Sequence, residues 1–358
     1  MGAMSREIDN AKPTGKPQEL AKAEGFVPGG ASTQSCVSGN PDRAEAAETV
    51  RALLEDLIDY AGLFPPASLA MPHSVANYET YLRSRWSWIL GRLIVPAARL
   101  GEFETAFDRL PPLPPESAPL TSRISVILGD QLNADAELLR AWQDRSARDA
   151  TARSARVESV EVRVDNPEAI ARAVQTIPAG MTIYFEAPPA RWSECMAAAA
   201  ASGHRMKIRM GGETEEKFPE SESVVEFLRL CLAHRLSFKA TAGLHHPLRS
   251  VHRLTYQPDS PSGLMHGFLN LFLAAAFLRA GMEPQRAVQL LDEHSEQALR
   301  FDSDGVNWRE ARLRRAELIV ARRESSISFG SCSFTEPIDD LRSLGLLSNR
   351  TSTEHAIL

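Results

Sequence analysis

Cysteine is scarce in this chain, and the four present (Cys36, Cys195, Cys231 and Cys332) stand far apart. There is no CxxC pair and no zinc-type spacing, which excludes a disulfide scaffold and points to reduced, buried thiols. A basic excess is also missing: the formal net charge is -6, so nothing general awaits nucleic-acid phosphates. No apolar run is long enough to span a bilayer. The longest, residues 267 to 278, is interrupted by Asn270 and reads as a buried helix. The N-terminus is polar and has no apolar signal region, so a cytoplasmic location is expected. No GxGxxG, P-loop or internal repeat occurs, and a nucleotide-binding open sheet therefore lacks its usual signature.

What is present is ordinary globular composition, 43% hydrophobic and 24% charged, in a length that suits a single barrel domain. Residues 1–43 are rich in Gly, Pro, Ser and Lys without apolar periodicity. They read as a disordered tail, dispensable for folding, before a domain over 44–358. The stretch 44–60 is helical in pattern, followed by helices near 74–85 and 102–110 and a first strand at 88–95. Strands at 124–128, 157–164, 182–186, 204–210 and from 236 then alternate with helices at 134–147, 167–176, 191–201 and 221–234. A polar loop (244–262) leads to helices at 264–279, 284–300 and 308–323 and a last strand at 327–334. Seven strands stand out. The expected fold is α/β, a seven- or eight-stranded (β/α) barrel, TIM-like and possibly distorted, with an open doubly wound sheet as alternative.

The middle strands carry the functional signal. Parallel barrel strands are normally apolar on both faces. Here Glu161, Arg163 and Asp165 share one face against Val160, Val162 and Val164. Thr182, Tyr184 and Glu186 oppose Ile183 and Phe185. Lys207 and Arg209 oppose Met206, Ile208 and Met210, and Lys239 opposes Phe238 and Ala240. Apolar faces against helices would turn these ionisable faces inward, where buried charge is costly unless it is paired or serves a site.

Glu186, Lys207 and Lys239 would then meet near the C-terminal mouth, where Asp130 also ends a strand. Gly211 and Gly212 would let backbone approach an anion, and His245, His246 and Arg249 leave the next strand. Adjacent histidines suit substrate contact better than metal ligation, so no metal is expected. Cys332, within GSCS, reads as an inert buried thiol before a nucleophile. His266 reads as a core or capping histidine.

The segments KIRMGG (207 to 212), FKATAGLHHPLR (238 to 249), LIDYAGLFPPASLAM (57 to 71) and FGSCSF (329 to 334) resemble a family of uncharacterised bacterial proteins. The resemblance spans roughly residues 48–347 and implies no activity. In architecture the chain is also similar to class I aldolase barrels, whose Schiff-base lysine sits on a late strand, as Lys239 would.

The leading expectation is a lyase, aldolase-like, acting on a small anionic carbonyl-containing metabolite without a cofactor. Lys239 would form the imine, and neighbouring Lys207 would depress its pKa. Glu186 or Asp130 would shuttle the proton, with Arg209, Arg163 and Arg249 holding the anionic group. Three alternatives remain: a phosphoribosyltransferase-like barrel with the same basic interior, a divalent-metal enzyme using Glu186, His245 and His246, and a non-catalytic binding protein. Neither nucleic acid nor membrane is an expected partner, and the oligomeric state, a homo-oligomer included, stays open.

Overall fold

A computed structural model of the chain describes residues 41–146 and 153–348. The tail expected over 1–43 lies outside the described residues apart from 41 to 43, which already belong to the first helix. That helix, α1 (Pro41–Leu54), packs on a domain whose remaining elements follow in this order. They are β1 (Ile58–Tyr60), α2 (Met71–Leu82), β2 (Leu90–Pro96), α3 (Leu100–Asp108), β3 (Leu120–Ile127), α4 (Leu132–Ser146), β4 (Arg153–Arg163), α5 (Pro167–Thr176) and β5 (Thr182–Glu186). Then come α6 (Trp192–Ala201), β6 (Arg205–Arg209), α7 (Ser221–Ala233), β7 (Phe238–Thr241), β8 (Ser250–Arg253), β9 (Ser262–Met265), α8 (Phe268–Arg279) and α9 (Pro284–Leu291). The described chain closes with β10 (Leu299–Phe301), β11 (Gly305–Trp308), β12 (Ala311–Arg314), α10 (Arg315–Glu324), β13 (Ser326–Ser331) and α11 (Thr335–Ser343).

Eight parallel strands close a barrel in the order β1-β13-β7-β6-β5-β4-β3-β2. The fold is the expected TIM-like (β/α) barrel, with eight strands and not an open sheet. The eighth strand is the one hidden in the 44–60 pattern. The helix stops at Leu54, Asp56 adopts φ +52°, and Ile58–Tyr60 runs extended between β13 and β2. Two further departures lie in the segment before β13. The expected helices over 284–300 and 308–323 give up their ends to the small antiparallel sheet β10-β11-β12. Val306, Trp308 and Leu313 are buried there, and three- or four-residue strands are too short to show a period of two. The polar loop contains the hairpin β8-β9.

The outward faces decide where the charges go. Phe238 of β7 and Phe329 of β13 meet α8, with ring centroids 6.3 Å (Phe238 to Phe272) and 4.9 Å (Phe268 to Phe329) apart. All of α8 is buried except its last residue, Arg279, which accounts for its lack of a polar stripe. Because alternate residues point to opposite faces, an outward Phe238 forces Lys239 inward. Helix α5 is set at its start by Asn166, whose side-chain oxygen accepts from Ala169 N–H at 2.9 Å, with Pro167 in the first turn.

Candidate active site

The barrel interior is a chain of alternating charges where such barrels usually stack Val, Ile and Leu. Lys207 on β6 is in register with Lys239 on β7 and with Glu186 on β5. Lys239 Nζ donates to Asp59 Oδ2 at 2.6 Å and to Glu161 Oε1 at 2.7 Å. Lys207 Nζ donates to the other oxygen of Glu161 at 3.0 Å and lies 2.7 Å from Glu186 Oε2. The second contact is close but off the hydrogen-bonding direction, so that Glu186 oxygen keeps no hydrogen-bond partner. The chain Asp59–Lys239–Glu161–Lys207–Glu186 thus runs through the barrel from its core toward its mouth. Asp59, Glu161 and Lys239 are 0%, 1% and 1% exposed.

Serines complete the carboxylates. Ser328 donates to Asp59 at 2.7 Å, and Ser125, itself receiving from Ser159, donates to Glu161 at 2.9 Å. The remaining Asp59 oxygen accepts the Arg92 backbone N–H at 2.7 Å. That approach requires Gly91, since a Cβ there would come within 2.2 Å of Asp59 Oδ1.

Burial raises the carboxyl pKa of both Asp59 and Glu161, but the Lys239 ammonium, with Arg92 beside Asp59 and Lys207 beside Glu161, outweighs it and holds both below the ordinary carboxylate range. Lys239 corrects the expectation of a depressed amine. Burial does push it down, yet the facing Asp59 and Glu161 carboxylates reverse the balance and hold it well above the ordinary lysine value. Glu161 sits between the Lys207 and Lys239 side chains, so the carboxylates outweigh the neighbouring lysine. Lys239 is therefore an ammonium ion in the resting protein.

Above this floor, at the C-terminal ends of the strands, opens a cavity of about 680 Å³. Of the residues singled out from sequence, Lys239, Lys207, Glu186 and Asp130 line it, as do Arg163, Arg209, Gly212 and His245. Three others are placed elsewhere. Gly211 is used for packing, its Cα side abutting Gly243 so closely that a Cβ would sit 2.9 Å from the Gly243 Cα. His246 bonds Asp340 at 2.6 Å and stacks on His252. Arg249 is held by Ser221 and Asp292 and contacts His266 at 2.9 Å, which braces α7 against the loop. His266, buried as a core histidine would be, in turn bonds the Pro219 carbonyl at 2.7 Å.

The structure adds residues that sequence reasoning missed. Asp59 is the deepest partner of Lys239, and its only signal was a lone acid inside LIDYAG. Arg172 of α5 and Lys217 join Arg163 and Arg209 in the lining, and neither Arg172, Arg209 nor Lys217 has a carboxylate partner among the described residues. Ala242 and Gly243 both adopt positive φ, +59° and +67°, a consecutive left-handed pair that turns the chain leaving β7 back over the mouth and delivers His245. Burial pushes His245 down, but contacts with Cys332 and Glu336 outweigh it and bring its pKa up to about 9.

Cys332 lines the cavity, while Cys195 and Cys231 are buried thiols pushed up by desolvation; Cys36 lies outside the described residues. Among the described residues no group of three or more His, Cys, Asp or Glu side chains is placed to hold a metal ion. Glu186, His245 and His246, the set a metal reading would use, face three different partners. No helix of the described chain is long and apolar enough to cross a membrane.

Compared with known proteins, the chain matches no family model and no curated protein. The barrel implied by the resemblances is present. The site's meaning rests on its own geometry.

Proposed function

We propose that the cavity is the active site of a lyase acting on a small anionic metabolite that contains a carbonyl group, breaking or forming the bond one carbon removed from that carbonyl. The observation that carries this reading is the Asp59–Lys239–Glu161–Lys207–Glu186 chain at the cavity floor. Burying the charges of Asp59, Glu161, Lys207 and Lys239, with Glu186 partly exposed at the end of the chain, where a barrel is normally aliphatic is costly, and such clusters concentrate at sites that stabilise charge during a reaction.

In the cleavage direction, the substrate carbonyl oxygen rests against the ammonium groups of Lys207 and Lys239. Glu186, with one oxygen free of hydrogen bonds beside Lys207, accepts the proton of the β-hydroxyl. That O–H electron pair becomes the new C=O of the departing aldehyde, the C–C bond breaks, and its electrons move onto the oxygen held by the lysines as an enolate. Arg163 and Arg209 at the mouth suit the substrate's anionic end. Because Lys239 is held as an ammonium, the enolate is stabilised by charge and not through an imine.

An enzyme that forms such an enolate exchanges the protons next to the carbonyl. The protein is incubated in D2O with pyruvate, 2-oxobutyrate or dihydroxyacetone phosphate, and loss of the C–H signal is followed by proton NMR. Exchange of at least one probe above its spontaneous rate is the expected result, and borohydride added during turnover should leave no mass on Lys239. No exchange of any of the three would refute the reading, and a borohydride adduct on Lys239 would restore the imine.

A further inference from the structure

Four separate segments meet beside the cavity, above β7, where His245 and Cys332 line it. His245 comes from the turn after β7, Cys332 from just past β13, Glu336 from the first turn of α11, and Tyr256 from the hairpin β8-β9. His245 Nδ1 lies 3.1 Å from Glu336 Oε2, and the same carboxylate oxygen accepts the Tyr256 hydroxyl at 3.3 Å. The Cys332 sulfur lies 3.9 Å from that same Nδ1 and 3.5 Å from the Tyr256 oxygen.

The geometry divides the roles. With Nδ1–H committed to Glu336, the tautomer and the ring plane of His245 are fixed. Nε2 has no partner among the described residues, and His245 lines the cavity. Glu336 and Cys332 face one nitrogen, so the imidazole is not interposed between carboxylate and thiol. A relay that activates the thiol needs opposite nitrogens, and Cys332 is thereby not the reacting atom. The hairpin that brings Tyr256 also brings Leu254 and Met265 into the cavity lining, so it covers the site as it completes the cluster.

We infer that His245 is the acid–base residue that moves the proton at the carbon next to the substrate carbonyl, with Glu336 and Tyr256 as the positioning residues that aim it. The inference rests on the lyase reading above. After C–C cleavage, the enolate carbon takes the proton from Nε2–H, so a C–H bond forms, the N–H bond breaks, and the imidazole is left neutral. In the reverse sense neutral Nε2 removes that proton, which is the step seen as exchange. The groups facing the ring are Glu336 from α11, Cys332 beyond β13 and Tyr256 from the hairpin, with the His246 ring 6.4 Å away and stacked on His252.

The test is the D2O exchange assay with the same three probes. His245→Asn should lower exchange by about 100-fold or more. Glu336→Gln removes the carboxylate that favours the imidazolium, so the pH at which exchange is half-maximal should fall toward the ordinary histidine value near ~6.5. A merely structural Glu336 would change the rate without moving that midpoint. Wild-type exchange with an unaffected His245→Asn overturns the role of His245 and leaves the lyase reading standing. If His245→Asn fails to fold, an unshifted midpoint in Glu336→Gln overturns it instead. A wild type that exchanges none of the probes removes both.

Discussion

Lys239 has two carboxylates within 2.7 Å and is only 1% exposed. Lys239→Met would leave Asp59 and Glu161 facing each other across the core, and breaking a buried pair in this way costs about 3–5 kcal/mol. The variant should show a lowered urea midpoint. A midpoint equal to wild type would mean that the carboxylates are protonated, and so not the partners of an ammonium. The pH dependence follows from the same groups. Asp59 and Glu161 titrate lower folded than unfolded, so their contribution is full above about pH 5 and is lost progressively as pH falls from the ordinary carboxylate value near ~4 through their lower folded values. Lys239 titrates higher folded than unfolded, so its contribution persists to about pH 10 and is lost only beyond it. His245, raised to about 9, contributes stability below its unfolded value near ~6.5 that is lost as pH rises through 9. Wild type should therefore lose stability between those two values relative to His245→Asn, measured by denaturant melts across that window. A constant difference would remove the imidazolium from the folded state.

At the scale of elements, what could be read in the sequence depended on length and on period. β5 is five residues of alternating polarity, and its limits are legible because Gly180 and Pro188 bracket a clear period of two. β1 was not, because three residues show no period and Leu53, Leu54, Leu57 and Ile58 continue a helical stripe. Losing β1 meant losing Asp59, and with it the sign of the Lys239 shift: two lysines in register suggested repulsion, whereas the carboxylates between and behind them impose the opposite. Arg249 and His246 lie near β7 in sequence, but the left-handed turn at Ala242-Gly243 sends only His245 back over the mouth. α5 tests the local reasoning directly. Asn166 caps it through Ala169 N–H, so Asn166→Ala should destabilise by about 1 kcal/mol and lower the denaturant midpoint without changing the circular dichroism of the folded state. A neutral substitution would mean that the helix start is held by its barrel contacts alone.

For the whole molecule, the barrel follows from the strand–helix alternation, and its closure follows from β1 bridging β13 and β2. An aliphatic barrel of the same topology needs no charges inside. Here the polar interior and the cavity at the C-terminal mouth occupy one column, and that coincidence supports catalysis over an internal ion-pair network. The two readings separate at Lys207, which lines the cavity and is slightly more exposed than Lys239, 5% against 1%. Lys207→Gln keeps a polar side chain against Glu161 and Glu186 but removes the positive charge that would meet the enolate oxygen. The deciding measurement is its D2O exchange rate, beside wild type, on whichever of the three probes the wild type exchanges, with a thermal melt to show that it folds. The expected result is a folded protein whose exchange has dropped by about 100- to 1,000-fold, the usual loss when one oxyanion-stabilising donor is removed. A folded Lys207→Gln that exchanges as fast as wild type would contradict it, and the buried charges would then serve the barrel alone.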